Sequence, residues 1–239
     1  MKKVLFIAFL FTLNNTFAQL KIPKIKLPTS GSTATGLSET DIANGLKEAL
    51  TIGAQKASEQ LHMTDGFNLN SLVRIPFPED AKKVATELRK LGYGKKVDEF
   101  ELSLNRSAEE AAKEAAPIFV SAIKGMTITD AKNILTGADT AATGYLRKTT
   151  YSPLYSAFSP HITTALNNNY AASKWTEITT IYNKIPLVKK VDTDLVRYTT
   201  GKALKGVFTL VAQEELKIRK DPAAQVTDLL KKVFGGLYK

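Results

Sequence analysis

Apolar residues recur in this chain at intervals of three and four through almost its whole length, the spacing of helices that each bury one face. A capping box at Ser38 and Asp41 opens the first predicted helix, with the stripe Ile42, Leu46, Leu50, Ala54, Ala57 and Leu61. Gly45 and Gly53 lie on that helix, where small residues let a neighbour approach closely. Pro76 and Pro78 forbid regular helix from Gly66 to Pro78, yet Leu69, Leu72, Val73, Ile75 and Phe77 make that stretch apolar enough to plug a groove. A short helix from Glu79 to Leu91 stops at Gly92, and a long one follows from about Lys96 to Lys124, with Pro117 as an expected kink.

Further helices follow in the same way. Thr127 and Asp130 form another capping box before a helix closed by Gly137, and Asp139 caps one running to about Lys148. Ser152-Pro153 starts a helix interrupted near Pro160. One around Trp175 to Ile185 ends at Pro186, a long one runs from Asp192 or Thr193 to Arg219, and the last starts at Asp221-Pro222. Strand-like alternation is nowhere sustained. The pattern predicts an all-α fold, a single bundle of about eight or nine helices around the kinked central one, over residues 37–239.

That central helix carries the most informative pattern. Val97, Phe100, Leu104, Ala108, Ala111, Ala115, Ile118 and Ala122 share one stripe, while Leu102 and Val120 project well round the cylinder. Between these directions run Glu101, Asn105 and Glu109, a polar seam on a helix expected to be enclosed on two sides. Buried carboxylates need partners. Arg74, Arg147, Arg197, a tyrosine hydroxyl, a ligand or a cation are the candidates, and an internal hydrogen-bond network is the simplest outcome. Arg106 and Glu110 sit further round and read as a solvated pair. A second candidate surface gathers Asp139, Thr140, Tyr145 and Arg147, with Tyr151 and Tyr155 nearby, because tyrosine and arginine together favour interfaces. The candidate binding residues are therefore Glu101, Asn105, Glu109, Arg74, Tyr145 and Arg147.

The first 18 residues change the picture of where the chain works. Lys2 and Lys3, the apolar run Val4 to Leu13, and Thr16-Phe17-Ala18 read as an export signal cleaved before Gln19. Residues 19–36 read as an extended basic arm (KIPKIKLP) and a flexible stretch up to Gly36. A soluble exported protein is expected, periplasmic before secreted. The formal charge of +10 falls to +8 once Lys2 and Lys3 are removed. Most lysines occur as scattered pairs beside acids, so the excess reads as a solubilising surface. Lys21, Lys24 and Lys26 are the exception, placed to touch an anionic surface. Specific nucleic-acid binding is not expected.

Catalytic signatures are sparse. The absence of cysteine excludes disulfides, thiolate metal sites and a lipid anchor on an N-terminal cysteine. Of the two histidines, His62 lies at a helix end and His161 follows Pro160, with no nucleophile elbow to serve. Glu59 and His62 have a metal-binding spacing, but a carboxylate-bridged centre needs a second such unit, and residue 158 is phenylalanine. No Gly-rich phosphate loop follows a strand. Neither metal nor cofactor is expected.

Several segments together resemble an uncharacterised bacterial family defined only as a domain of unknown function. They are LKEALTIGAQKA (Leu46 to Ala57), VRIPFPED (Val73 to Asp80), DEFELSLNRSAEEAA (Asp98 to Ala112) and APIFVSAIKGMTITDAKNIL (Ala116 to Leu135). DTAATGYLR (Asp139 to Arg147) and KIRKDPAAQVTDLLKKVFG (Lys217 to Gly235) complete the set. The resemblance implies an exported helical protein and supplies no activity or site residues. The expected function is a non-catalytic envelope protein that binds an apolar or amphiphilic ligand or a protein partner. The alternative is an envelope enzyme using the helix-borne carboxylates of the seam as acid and base.

Overall fold

A computed structural model describes residues 38–234 except 190 and 192. The export signal and the basic arm expected from the sequence lie outside these residues. Within them the chain forms nine α-helices and no strand, in agreement with the all-α reading. These are α1 (Glu39–His62), α2 (Lys82–Lys90), α3 (Gly94–Ala112), α4 (Ala115–Lys124), α5 (Ile128–Leu135), α6 (Ala141–Asn168), α7 (Ala171–Tyr182), α8 (Leu195–Lys220) and α9 (Asp228–Phe234).

Both capping boxes form as the sequence predicts. Ser38 Oγ accepts from the Asp41 N–H at 3.1 Å while Asp41 accepts from the Ser38 N–H at 3.0 Å, and Thr127 and Asp130 repeat this arrangement. The small residues of α1 mark its neighbours. A Cβ on Gly45 would lie 2.8 Å from Val233 of α9, and one on Gly53 would lie 3.3 Å from the Glu214 Cβ of α8.

Two segments differ from the sequence reading in instructive ways. The long helix expected from Lys96 to Lys124 is broken into α3 and α4 by a turn at Lys113 and Glu114. The bend thus precedes Pro117, which sits in the first turn of α4, where its missing N–H costs no helical bond. Conversely, α6 runs unbroken through Pro153 and Pro160. Both prolines lie on its exposed face, so the carbonyls they leave unbonded can be hydrated. Asp139 does not cap α6; the helix start is held from elsewhere, as described below.

α3 occupies the middle and packs against α1, α2, α6, α7 and α8. Its predicted stripe is buried from Val97 through Ala111, and the stacked rings of Phe100 and Trp175, 5.1 Å apart, join it to α7. Phe77 closes the cluster edge-on, 5.2 Å from Phe100. No helix among the described residues is long and apolar enough to cross a membrane.

Candidate functional site: a closed polar seam and an open groove

The irregular segment between α1 and α2 lies across α3, and its backbone explains the polar seam. A chain without regular structure carries N–H and C=O groups that must be satisfied if buried. Glu109, 4% exposed, accepts from the backbone N–H groups of Phe67 and Asn68, each at 3.1 Å. Asn105, fully buried, accepts from the Ile75 N–H at 2.8 Å and donates to the Ile75 carbonyl at 2.8 Å. Glu101 accepts from the Phe77 N–H at 3.2 Å and from the Arg74 guanidinium at 2.8 Å. Three turns of α3 thus hold one side of the segment like a clasp.

The other side of the segment seats on α8. The Tyr198 hydroxyl donates to the Pro76 carbonyl at 3.0 Å. A Cβ on Gly206 would lie 2.6 Å from the Phe67 ring, so only glycine lets that ring reach its place. Phe67, Val73, Ile75 and Phe77 are buried, which matches the expected plug in part, but Leu69 and Leu72 point outward.

Ion pairs complete the clasp differently from the sequence expectation. Arg106 is no solvated partner of Glu110; it is half-buried and donates to Glu109 at 2.6 Å and to Asp65 at 2.8 Å. These carboxylates hold its guanidinium more firmly charged than usual, Glu109 foremost. Asp65 in turn is held below the ordinary carboxylate range, first by the Asn68 side-chain amide and then by Arg106. His62 lies with Nδ1 2.8 Å from the Glu109 carbonyl. Every polar side chain of the seam is therefore bonded to its own chain.

A second buried network, absent from the sequence reading, joins α5, α6 and α8. Glu215 accepts from the N–H groups of Ala142 and Thr143 at 2.9 and 2.8 Å and from the Thr143 hydroxyl at 2.8 Å. It thereby takes the place of a cap on α6, whose N-terminus favours a negative charge. Arg219, 3% exposed, pairs with Glu215 at 2.9 Å and donates to the Ile134 carbonyl at 2.8 Å at the end of α5. The signal was legible: Leu204, Phe208, Val211, Glu215 and Ile218 fall on one helical stripe, which buries Glu215 with its apolar neighbours.

Beside this network, α6 and α8 run antiparallel and leave a groove of about 640 Å³ between them. Arg147 meets Phe208 at one end, Gly144 faces Ala212 and Gln213 along the middle, and Leu216 borders the far half. Asp139 and Lys220 pair at 2.5 Å at the other end. The wall is mostly apolar. The Arg147 guanidinium lies 4.7 Å from the Phe208 ring centroid, a cation–π contact, and forms no ion pair among the described residues. Tyr151 lies nearly parallel to Phe208 at 6.4 Å and stacks on Tyr155 at 6.3 Å. Of the second predicted surface, Asp139, Thr140 and Arg147 line the groove. Tyr145 is half-buried outside it, and burial raises its hydroxyl above the usual tyrosine range.

The described residues contain no group of three or more His, Asp or Glu side chains placed to hold a metal ion. The family model described as Protein of unknown function (DUF4197) matches residues 36–235, and the chain belongs to that family. No curated protein and no solved structure matches it.

Proposed function

We propose that this is an exported, non-catalytic helical protein that holds an apolar or amphiphilic ligand in the groove between α6 and α8. The observation that carries the reading is that groove: about 640 Å³, mostly apolar, with its charged groups, Arg147, Asp139 and Lys220, at its ends. Ligand sites are typically about 300–1,000 Å³ and combine an apolar lining with a few placed polar groups. Export is supported by the basic, apolar and small-residue sequence of residues 1–18. The seam favours binding over acid–base chemistry, since Glu101 and Glu109 end in bonds to their own backbone and arginines rather than opening into a cleft.

The test uses the fluorescent apolar probe N-phenyl-1-naphthylamine. Nothing stands within 4 Å of where a Cβ on Gly144 would lie, so Gly144→Trp fills the groove without a clash at its base. Saturable enhancement of probe fluorescence that Gly144→Trp abolishes, with helicity and melting temperature retained, supports the reading. Absence of binding, or binding that Gly144→Trp leaves intact, overturns it.

A further inference from the structure

The two ends of the groove differ in charge, and the difference selects a ligand. At one end Lys220 is already paired with Asp139. At the other, Arg147 is exposed, forms no ion pair among the described residues, and carries its guanidinium over the Phe208 ring at 4.7 Å. Taken together, Arg147, Lys220 and Asp139 leave the lining with one uncompensated positive charge. No hydrogen bond among the described residues occupies its N–H groups, and a guanidinium fork matches a carboxylate in a two-bond geometry.

Shape adds a further constraint. From Phe208 to Lys220 the groove follows α8 for about 18 Å at 1.5 Å per residue. Between the charged ends its wall is mostly apolar, with Ala212 and Leu216 beside the open edge at Gly144, and Thr143, Thr209 and Gln213 add the polar groups there. A long, mostly apolar trough whose lining carries one net positive charge among the described residues fits one hydrocarbon chain bearing one negative charge. A neutral chain would gain nothing from Arg147, which is exposed to water, and a dianionic head would exceed the single net positive charge of the lining.

We infer that the groove takes a single-chain monocarboxylate, with its head group on the Arg147 guanidinium and its chain lying along Ala212 and Leu216. This deepens the proposed binding function and rests on it. The same arrangement gives Arg147 its role as the specificity-determining residue of the site.

Competition against bound N-phenyl-1-naphthylamine separates the two claims. Decanoate, 1-decanol and decyl phosphate are titrated against the full-length mature protein, against Arg147→Gln, and against Lys148→Gln, which removes the same charge outside the groove lining. Decanoate is expected to displace the probe at least tenfold more effectively than 1-decanol, and more effectively than decyl phosphate. Arg147→Gln should erase the advantage over decanol, Arg147→Lys should restore part of it, and Lys148→Gln should keep both the advantage and the probe affinity. Equal displacement by decanoate and decanol, or an advantage insensitive to Arg147→Gln, overturns the carboxylate assignment and leaves the groove reading standing. Preference for decyl phosphate also overturns it. A probe that never binds defeats the underlying reading instead.

Discussion

Asn105 meets Ile75 as a neighbouring β-strand would, taking its N–H and supplying its C=O with a partner through one carboxamide, both at 2.8 Å. The same amide nitrogen also donates to the Glu101 carbonyl one turn back at 2.8 Å. A helix in the middle of a bundle can therefore carry polar residues and remain in the core, because the segment crossing it has backbone groups to satisfy. Asn105→Leu should leave the Ile75 N–H and C=O buried without partners, at about 1–3 kcal/mol each. Urea denaturation should show the lowered midpoint. Hydrogen exchange should show loss of protection at the Ile75 amide before loss in α3 itself.

The buried pair of Glu215 and Arg219 should respond very differently to single and double substitution. Arg219→Ala strands a carboxylate in the core and should cost about 3–5 kcal/mol. Glu215→Leu combined with Arg219→Met should recover much of that loss, although the start of α6 then lacks its cap. Lys95→Ala, which breaks the exposed pair with Glu99, should leave the denaturation midpoint where it was.

Acid should act on the clasp and the capping boxes together. Asp41 is held below its ordinary range by the Ser38 hydroxyl, Asp130 by the Thr127 hydroxyl, and Asp65 by Asn68 and then Arg106. A depressed carboxylate contributes stability that is complete above the unfolded value near 3.9 and disappears as pH falls through the folded value. Chemical denaturation should therefore give a plateau near neutrality and a decline below about pH 4. Asp65→Asn should be less stable than the parent at pH 7, with the gap narrowing as the pH falls below that range.

Two glycines of α8 should give opposite results on substitution by alanine. At Gly206 the new methyl meets Phe67 and Val73, both buried, and overpacking of this kind costs about 1–3 kcal/mol. At Gly201 nothing stands within 4 Å, and alanine should gain up to about 1 kcal/mol in helix propensity. Thermal denaturation of the two variants tests both signs.

The sequence revealed the helical periodicity, both capping boxes and the polar seam because each is local and depends on spacing within one element. It exposed Glu101, Asn105 and Glu109 as buried polar groups, yet not their partners. Four of those partners are backbone N–H groups of a segment far along the chain, and backbone carries no sequence signature. Pro117 and Pro153 misled for one reason: a proline's effect depends on whether its turn is a helix start or an exposed face, which packing decides. The groove was only half legible. Arg147, Asp139 and Thr140 clustered in sequence, but Phe208, Ala212 and Leu216 join them only once α8 lies antiparallel to α6.

The most direct test of the account is to map where a bound chain perturbs the backbone, using amide chemical shifts of isotopically labelled protein titrated with decanoate. Shifts concentrated at Thr140, Gly144, Arg147, Ala212 and Gln213, with Phe67, Ile75 and Phe77 unmoved, are the result expected. Shifts concentrated instead on Phe67 to Phe77 and on Asn105 would mean that the seam is the binding site and the groove is idle.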